Sequence, residues 1–133
     1  MKKILLAYDG GEPARRALEQ TIELATSFGA EVGVISVVPA RRGHAPIDPW
    51  DDRTVHAEEL LEARRALREA GIEAEMLEPG GDVARTIERV ADERGYDTIV
   101  VGARGPGSLA KVLQGSVSEH VASHAHTTVV VAR

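Results

Sequence analysis

Two stretches of the chain bring together residue types that can do chemistry. The first is Asp9-Gly10-Gly11, a carboxylate followed by two residues with no side chain. The second runs from Gly102 to Ser116 and reads GARGPGSLAKVLQGS. Glycines at 102 and 105 let the backbone approach a ligand and adopt positive φ. Gly115 and Ser116 open an apolar stripe, Val117, Val121, Ala122 and Ala125, with helical spacing. The unpaired N–H groups at a helix start, on the positive end of its dipole, form an anion site, and a serine hydroxyl adds one more donor. From Gly102 to Ser118 the only charged residues are Arg104 and Lys111, in a chain whose net charge is −5. Phosphate suits this reversal of sign. Glycine-rich connections that bind nothing are also common, and the glycines alone leave both readings open.

Two known motifs nearly fit and fail. Gly102 and Gly107 have the spacing of a phosphate-binding P-loop, but Ser108-Leu109 stands where Lys-Ser/Thr is required. The string from Gly105 to Ala110 matches a dinucleotide fingerprint, but no acidic residue lies between Ala125 and Arg133 to take a ribose.

Other chemistry-bearing residues have plainer readings. His120 and His124, four apart with His126 near, could chelate a metal, but they lack a companion carboxylate motif and read as solvated histidines near a helix end. Asp48, Asp51 and Asp52 surround Trp50 and read as a helix cap on a solvated loop. Asp9 taken alone is a turn former and cap, or it orients a ribose or holds magnesium through water. Lys111 either reaches a phosphate or is solvated.

These residues must be held by a scaffold, and the hydrophobic periodicity supplies one. Residues 3–8 and 32–38 are short apolar runs, the mark of strands buried on both faces. Residues 72–78 alternate apolar with Glu, as an edge strand does. Residues 98–101 and 127–132 complete five strands. Between them lie four helical stripes. Ala14, Ala17, Leu18, Thr21, Ile22, Ala25 and Phe28 mark the first, which starts at Pro13 and is stopped by Gly29. Val55, Ala57, Leu60, Leu61 and Leu67 mark the second, stopped by Gly71. Asp82 caps the third, which carries Val83, Ala84, Ile87, Val90 and Ala91 and ends at Gly95. The fourth is the stripe after Ser116. Strands alternating with helices, without short hairpins, predict one three-layer α/β domain around a five-stranded parallel open sheet.

Composition narrows the function. With 133 residues the chain is one ordinary domain, able to bury a core without crosslinks. It has no cysteine, which excludes disulfides, thiolate metal sites and cysteine nucleophiles. An acidic balance with one Phe, one Trp and two Tyr speaks against a nucleic-acid surface. The sequence shows no membrane span or secretory leader, so a cytoplasmic location is the expectation.

The spacing Gly102-x2-Gly105-x9-Gly115-Ser116 resembles the nucleotide-binding signature of the universal stress protein family, in its ATP-binding branch. Ile4-Leu5-Leu6-Ala7-Tyr8-Asp9-Gly10 is similar to that family's first strand and acidic turn, and Val34-Ile35-Ser36-Val37-Val38 to its second strand. Gly81-Asp82 and Ile99-Val100-Val101-Gly102 also match, so the likeness spans residues 1–133. It implies an adenine-nucleotide alpha-hydrolase-like fold with strand order 3-2-1-4-5, which puts the first and fourth strands side by side. It implies ATP, with or without magnesium, as the ligand. Carried over, Ala7, Tyr8, Asp9 and Val37 would hold the adenine side, Val37 through its backbone amide and carbonyl. Gly102, Arg104 and Gly105 would line ribose and phosphates, and Gly115, Ser116 and Val117 would bind the phosphates. The resemblance further implies a regulatory protein of the stress response, a homodimer through the uncharged last strand, and a protein partner the sequence does not identify. The departures are Gly11, where the family often has serine, and Thr127-Thr128 in place of a proline.

A slow ATPase or phosphate-transferring enzyme is the competing expectation, and a nucleotide-free dimeric module is a third. The stretch 102–116 has neither His nor Glu to act as general base for water, which favours binding over hydrolysis. A receiver-type regulator would need an acidic pair after the first strand, where Asp9 stands alone.

Overall fold

The computed structural model of the protein describes residues 1–8, 10, 12–39, 53–102 and 127–132. The first strand, β1 (Lys3–Ala7), is the centre of the sheet, and its residues Ile4 to Leu6 are fully buried. Burial on both faces is what its continuous apolar run dictates. Helix α1 (Glu12–Phe28) follows, with Pro13 in its first turn and Gly29 beyond its last at φ 63°. Then come β2 (Glu31–Ile35), a two-residue strand β3 (Val38–Pro39), α2 (Arg53–Glu69) and β4 (Ala74–Leu77). A second two-residue strand, β5 (Gly80–Gly81), precedes α3 (Val83–Arg94), β6 (Thr98–Gly102) and β7 (Thr128–Ala132).

The main sheet has the order β4-β2-β1-β6-β7, with every pair parallel. Counted over its five strands alone, this is the order 3-2-1-4-5. The short strands β3 and β5 pair with each other beyond the ends of β2 and β4, a feature that hydrophobic periodicity does not reveal.

The core lies in two layers, as the alternation of side chains along each strand requires. Ile4, Leu6 and Tyr8 of the first strand and its end pack with Ala14, Ala17 and Leu18 of α1 and with Leu60, Ala63 and Leu67 of α2. On the opposite face Leu5 and Ala7 pack with Ala84, Ile87, Val90 and Ala91 of α3. Helices therefore cover both faces of the sheet. The fourth helix, read from sequence over 117–125, lies outside the described residues. Asp82 caps α3, its carboxylate accepting from the Arg85 amide at 3.2 Å, and Gly95 closes the helix in the left-handed region at φ 75°.

Two side chains expected on inward stripes face outward. Phe28 is 59% exposed and Leu61 50%. The turn ending at Gly29 begins just beyond Phe28, and Leu24, one turn earlier, packs on the core in its place. On α2 the inward positions are Leu60, Ala63 and Leu67, and Leu61 lies 100° round the axis from Leu60. The second strand leaves the main sheet at Ile35, earlier than the apolar run to Val38 suggests, because burial continues through Ser36 and Val37 after the ladder has ended.

At the amino end of the sheet Asp97 ties the first residues to β6. Its carboxylate accepts from the Lys2 amide at 2.8 Å, the Lys3 amide at 3.1 Å and the Thr98 hydroxyl at 2.6 Å. Burial by itself would raise the Asp97 carboxyl, but the Thr98 hydroxyl, those two amides and the N-terminal ammonium outweigh it and hold the group below its ordinary value. Its charged form is thus favoured by folding. That contribution is present above the unfolded carboxyl's pKa of about 3.9 and is lost as pH falls through the lower folded value. Asp97→Asn is expected to cost about 1–2 kcal/mol at pH 7. Urea unfolding of both proteins from pH 7 to pH 2.5 should show that difference shrinking toward acid, and a constant difference would refute the assignment.

Candidate functional site

The ladders of the sheet do not end together. β1 is bonded to β6 over the registers Ile4–Thr98, Leu5–Ile99 and Leu6–Val100 and no further. Its ladder with β2 continues to Ala7–Ile35, and the ladder of β6 with β7 continues to Gly102–Ala132. The carboxyl ends of β1 and β6 therefore part, each keeping its outer neighbour. Chain winding reverses at this point of an open parallel sheet, and the crevice formed there is where such sheets take ligands.

Three of the residues singled out in the sequence, Ala7, Tyr8 and Gly102, lie at this divergence, and Val37 follows the end of β2 on the other side of β1. Ala7 is the last residue of β1, and its side chain is buried toward α3. Tyr8 follows, and its ring is buried in the α1–α2 layer with 2% exposure. What Tyr8 can offer a ligand is main chain, and its amide is already donated to the Ile35 carbonyl at 3.0 Å. That is the last bond of the β1–β2 ladder, so the amide and carbonyl of Val37 take no part in it. Gly102 ends β6 on the far side of the gap.

The Tyr8 hydroxyl finds no hydrogen-bond partner among the described residues. Burial, then the neighbouring Glu62 carboxylate, push it up to about 12, with Arg15 opposing. Arg15 and Glu62 form an ion pair at 3.2 Å that joins α1 to α2 beside it.

Gly102 is fixed by packing. A Cβ there would lie 2.3 Å from the Pro13 carbonyl oxygen and 2.8 Å from the Pro13 Cβ. The first turn of α1 thus rests directly on the end of β6, and only glycine fits between them. Gly10, on the other side, has φ +77°, and a Cβ there would lie 3.0 Å from Cγ of Glu59. Both glycines are space for something else, one for a helix backbone and one for a side chain of α2.

Two residues at the site were not found by sequence reasoning. Ser36 is 2% exposed and donates its hydroxyl to Glu59 Oε2 at 3.4 Å. Glu59 is half-buried on α2. A signal for it existed, because Glu59 precedes buried Ala63 by four residues, so a carboxylate sits on the inward side of the helix.

Asp9, Gly11, Arg104, Gly105, Lys111, Gly115, Ser116 and Val117 lie outside the described residues, as do the three histidines and Trp50 with its aspartates. Among the described residues no three His, Asp or Glu side chains gather where they could hold a metal ion, and no helix is long and apolar enough to cross a membrane.

Replacing Gly102 tests the packing. Gly102→Ala is expected to lower the unfolding free energy by about 1–3 kcal/mol, the range for forced overpacking, as well as weakening any ligand. Thermal unfolding without ligand checks this, and an unchanged melting temperature would show that α1 does not bear on Gly102.

Comparison with known proteins agrees with this geometry. The family model described as "Universal stress protein family" matches residues 1–133. A universal stress protein of Methanocaldococcus jannaschii is 32% identical over 141 residues, which cover 99% of this chain and 82% of the relative. The crystal structure of a family protein from Burkholderia pseudomallei superposes with a TM-score of 0.69 at 28% identity, covering 98% of this chain and 94% of that one. A universal stress protein from Archaeoglobus fulgidus, solved in complex with dAMP, gives a TM-score of 0.67 at 26% identity over 100% of this chain and 98% of its own. With its strand order, its glycine spacing and these matches taken together, the chain belongs to the universal stress protein family.

Proposed function

We propose that this protein is an adenine-nucleotide-binding regulator of the stress response, taking ATP in the crevice where β1 and β6 part. The observation that carries the reading is that divergence, with Gly102 seated on α1 and the glycine-serine signature running on directly from β6. The dAMP complex of the Archaeoglobus fulgidus relative supports an adenine nucleotide as the class of ligand. In this reading Val37 presents its backbone amide and carbonyl to the edge of the base, with Ala7, Tyr8 and Asp9 alongside. Gly102, Arg104 and Gly105 line the ribose and phosphates. Gly115, Ser116 and Val117 bind the phosphates through the amides of a helix start. Magnesium accompanies the triphosphate through Asp9 and water. The bound nucleotide shifts conformation or the choice of a protein partner by its differential affinity for two states, with little or no hydrolysis.

The same reading makes the protein a homodimer. Among the described residues β7 is an edge of the main sheet, paired only with β6, and its five residues TVVVA carry no charge. The opposite edge, β4, carries Glu75, which Arg94 engages. An uncharged edge with free backbone groups is a surface for a second copy, whereas a charged one resists pairing.

Purified protein, denatured and analysed by mass spectrometry, is expected to release an adenine nucleotide. Calorimetry should show ATP binding weakened more than about tenfold in Gly115→Val, with the melting temperature nearly unchanged and no ADP accumulating. Equal binding by Gly115→Val and wild type would displace the site from this loop. Sedimentation equilibrium should give a dimer, and a monomer at high micromolar concentration would remove the pairing through β7.

A further inference from the structure

The Tyr8 side chain ends in a hydroxyl that the proposed binding role does not use. Its main chain lies at the end of β1, whereas its ring runs into the α1–α2 layer and is 2% exposed. The hydroxyl oxygen is closed off from solvent and has no hydrogen-bond partner among the described residues. A buried hydroxyl left unpaired costs free energy that a phenylalanine in its place would avoid. Two polar groups stand beside it. Arg15 of α1 and Glu62 of α2 form an ion pair at 3.2 Å, from Nε to Oε1. Burial raises the hydroxyl, Glu62 adds to that, and Arg15 opposes it, so both groups are near enough to act on it. Among the described residues Arg15 engages Oε1 alone, which leaves Glu62 Oε2 to accept from another donor. Both side chains are exposed, and an exposed ion pair is held by little, so Glu62 turns toward the ring at small cost.

The main chain that carries this ring is held on one side only. The Tyr8 amide is fixed to the Ile35 carbonyl at 3.0 Å, but past Leu6 no ladder holds β1 to β6. A ligand in the crevice meets that unsupported side.

We infer that the Tyr8 hydroxyl is a positioning group for the nucleotide, donating to Glu62 Oε2 when the ligand settles against the Tyr8 main chain. This rests on the nucleotide reading above and deepens it. The bond is made in one arrangement and missing in the other, so it adds to affinity by stabilising the bound one. A hydrogen bond to a carboxylate is among the stronger ones, and here it also relieves an orphaned buried donor. Occupancy of the crevice thereby reaches Glu62, a surface residue on the seam between α1 and α2.

The test sets two variants against each other, since Tyr8 and Tyr96 are the only tyrosines in the chain. The Tyr96 hydroxyl already donates to Glu75 at 3.0 Å. Tyr96→Phe is therefore expected to lower the melting temperature and leave ATP affinity unchanged. Tyr8→Phe is expected to keep or raise the melting temperature without ligand, and yet to weaken ATP binding roughly tenfold by calorimetry. A melting temperature lowered as far as in Tyr96→Phe, or ATP bound as tightly as by wild type, would overturn the inference. Tyrosine labelled at Cζ gives one NMR signal per ring and reads the hydroxyl's bond directly, so this measurement on wild type stands even if Tyr8→Phe folds poorly. Saturating ATP should move the Tyr8 signal and leave the Tyr96 signal in place, and Glu62→Ala should remove the movement. A Tyr8 signal that ATP does not move, or moves equally in Glu62→Ala, would also overturn it. Wild type that binds no ATP would overturn the nucleotide reading itself, an outcome distinct from binding without a change at Tyr8.

Discussion

A parallel strand can keep both neighbours only while their directions agree, and in this molecule β1 loses one of them after Leu6. Beyond that register β1 continues with β2, and β6 with β7. The separation follows from the winding. α1 and α2 cover one face of the sheet and α3 the other, so the chain reverses between β1 and β6. A pocket with backbone groups on its walls comes from this topology, without a cavity having to be carved into the core.

The packing that holds the divergence in place is concentrated at two glycines. At Gly102 the absent Cβ admits the backbone of α1 at Pro13, and at Gly10 it admits Glu59 from α2. A side chain at Gly102 would have to move the backbone of α1, whereas one at Gly10 would meet the Glu59 side chain and strain a positive φ. A third close approach stabilises the sheet away from the site. Tyr96 lies over Gly33, donates its hydroxyl to Glu75 at 3.0 Å and receives the Lys3 ammonium 4.5 Å above its ring. Burial, then Glu75, raises the Tyr96 hydroxyl, so it stays a donor across the physiological range. Gly33 in the middle of a buried strand is thus a place made for an aromatic ring.

The strands were legible because apolar runs and alternation report burial directly. The helices were legible because Pro13, Asp82, Gly29, Gly71 and Gly95 mark their ends with residues that have few other uses. Periodicity misplaced Phe28 and Leu61 because a stripe cannot tell which of two adjacent apolar residues faces inward until the neighbouring element is in place. The paired strands β3 and β5 escaped notice because two residues make no pattern. The candidate site was read from its glycine spacing, most of which lies outside the described residues, and the family resemblance supplied the strand order. Ser36 was not, because a serine in an apolar run looks ordinary until topology places it, and Glu59 was passed over although it stands four residues before Ala63 on the inward side of α2.

The central claim is that the crevice between the ends of β1 and β6 receives an adenine nucleotide. Backbone amide chemical shifts recorded during titration with ATP test it residue by residue. The account predicts saturable shifts at Ala7, Tyr8, Val37 and Gly102, on both sides of the divergence, with little change at Asp97 and Thr98 at the other end of the sheet. Shifts that gather at the amino end, or at one wall of the crevice alone, would contradict it.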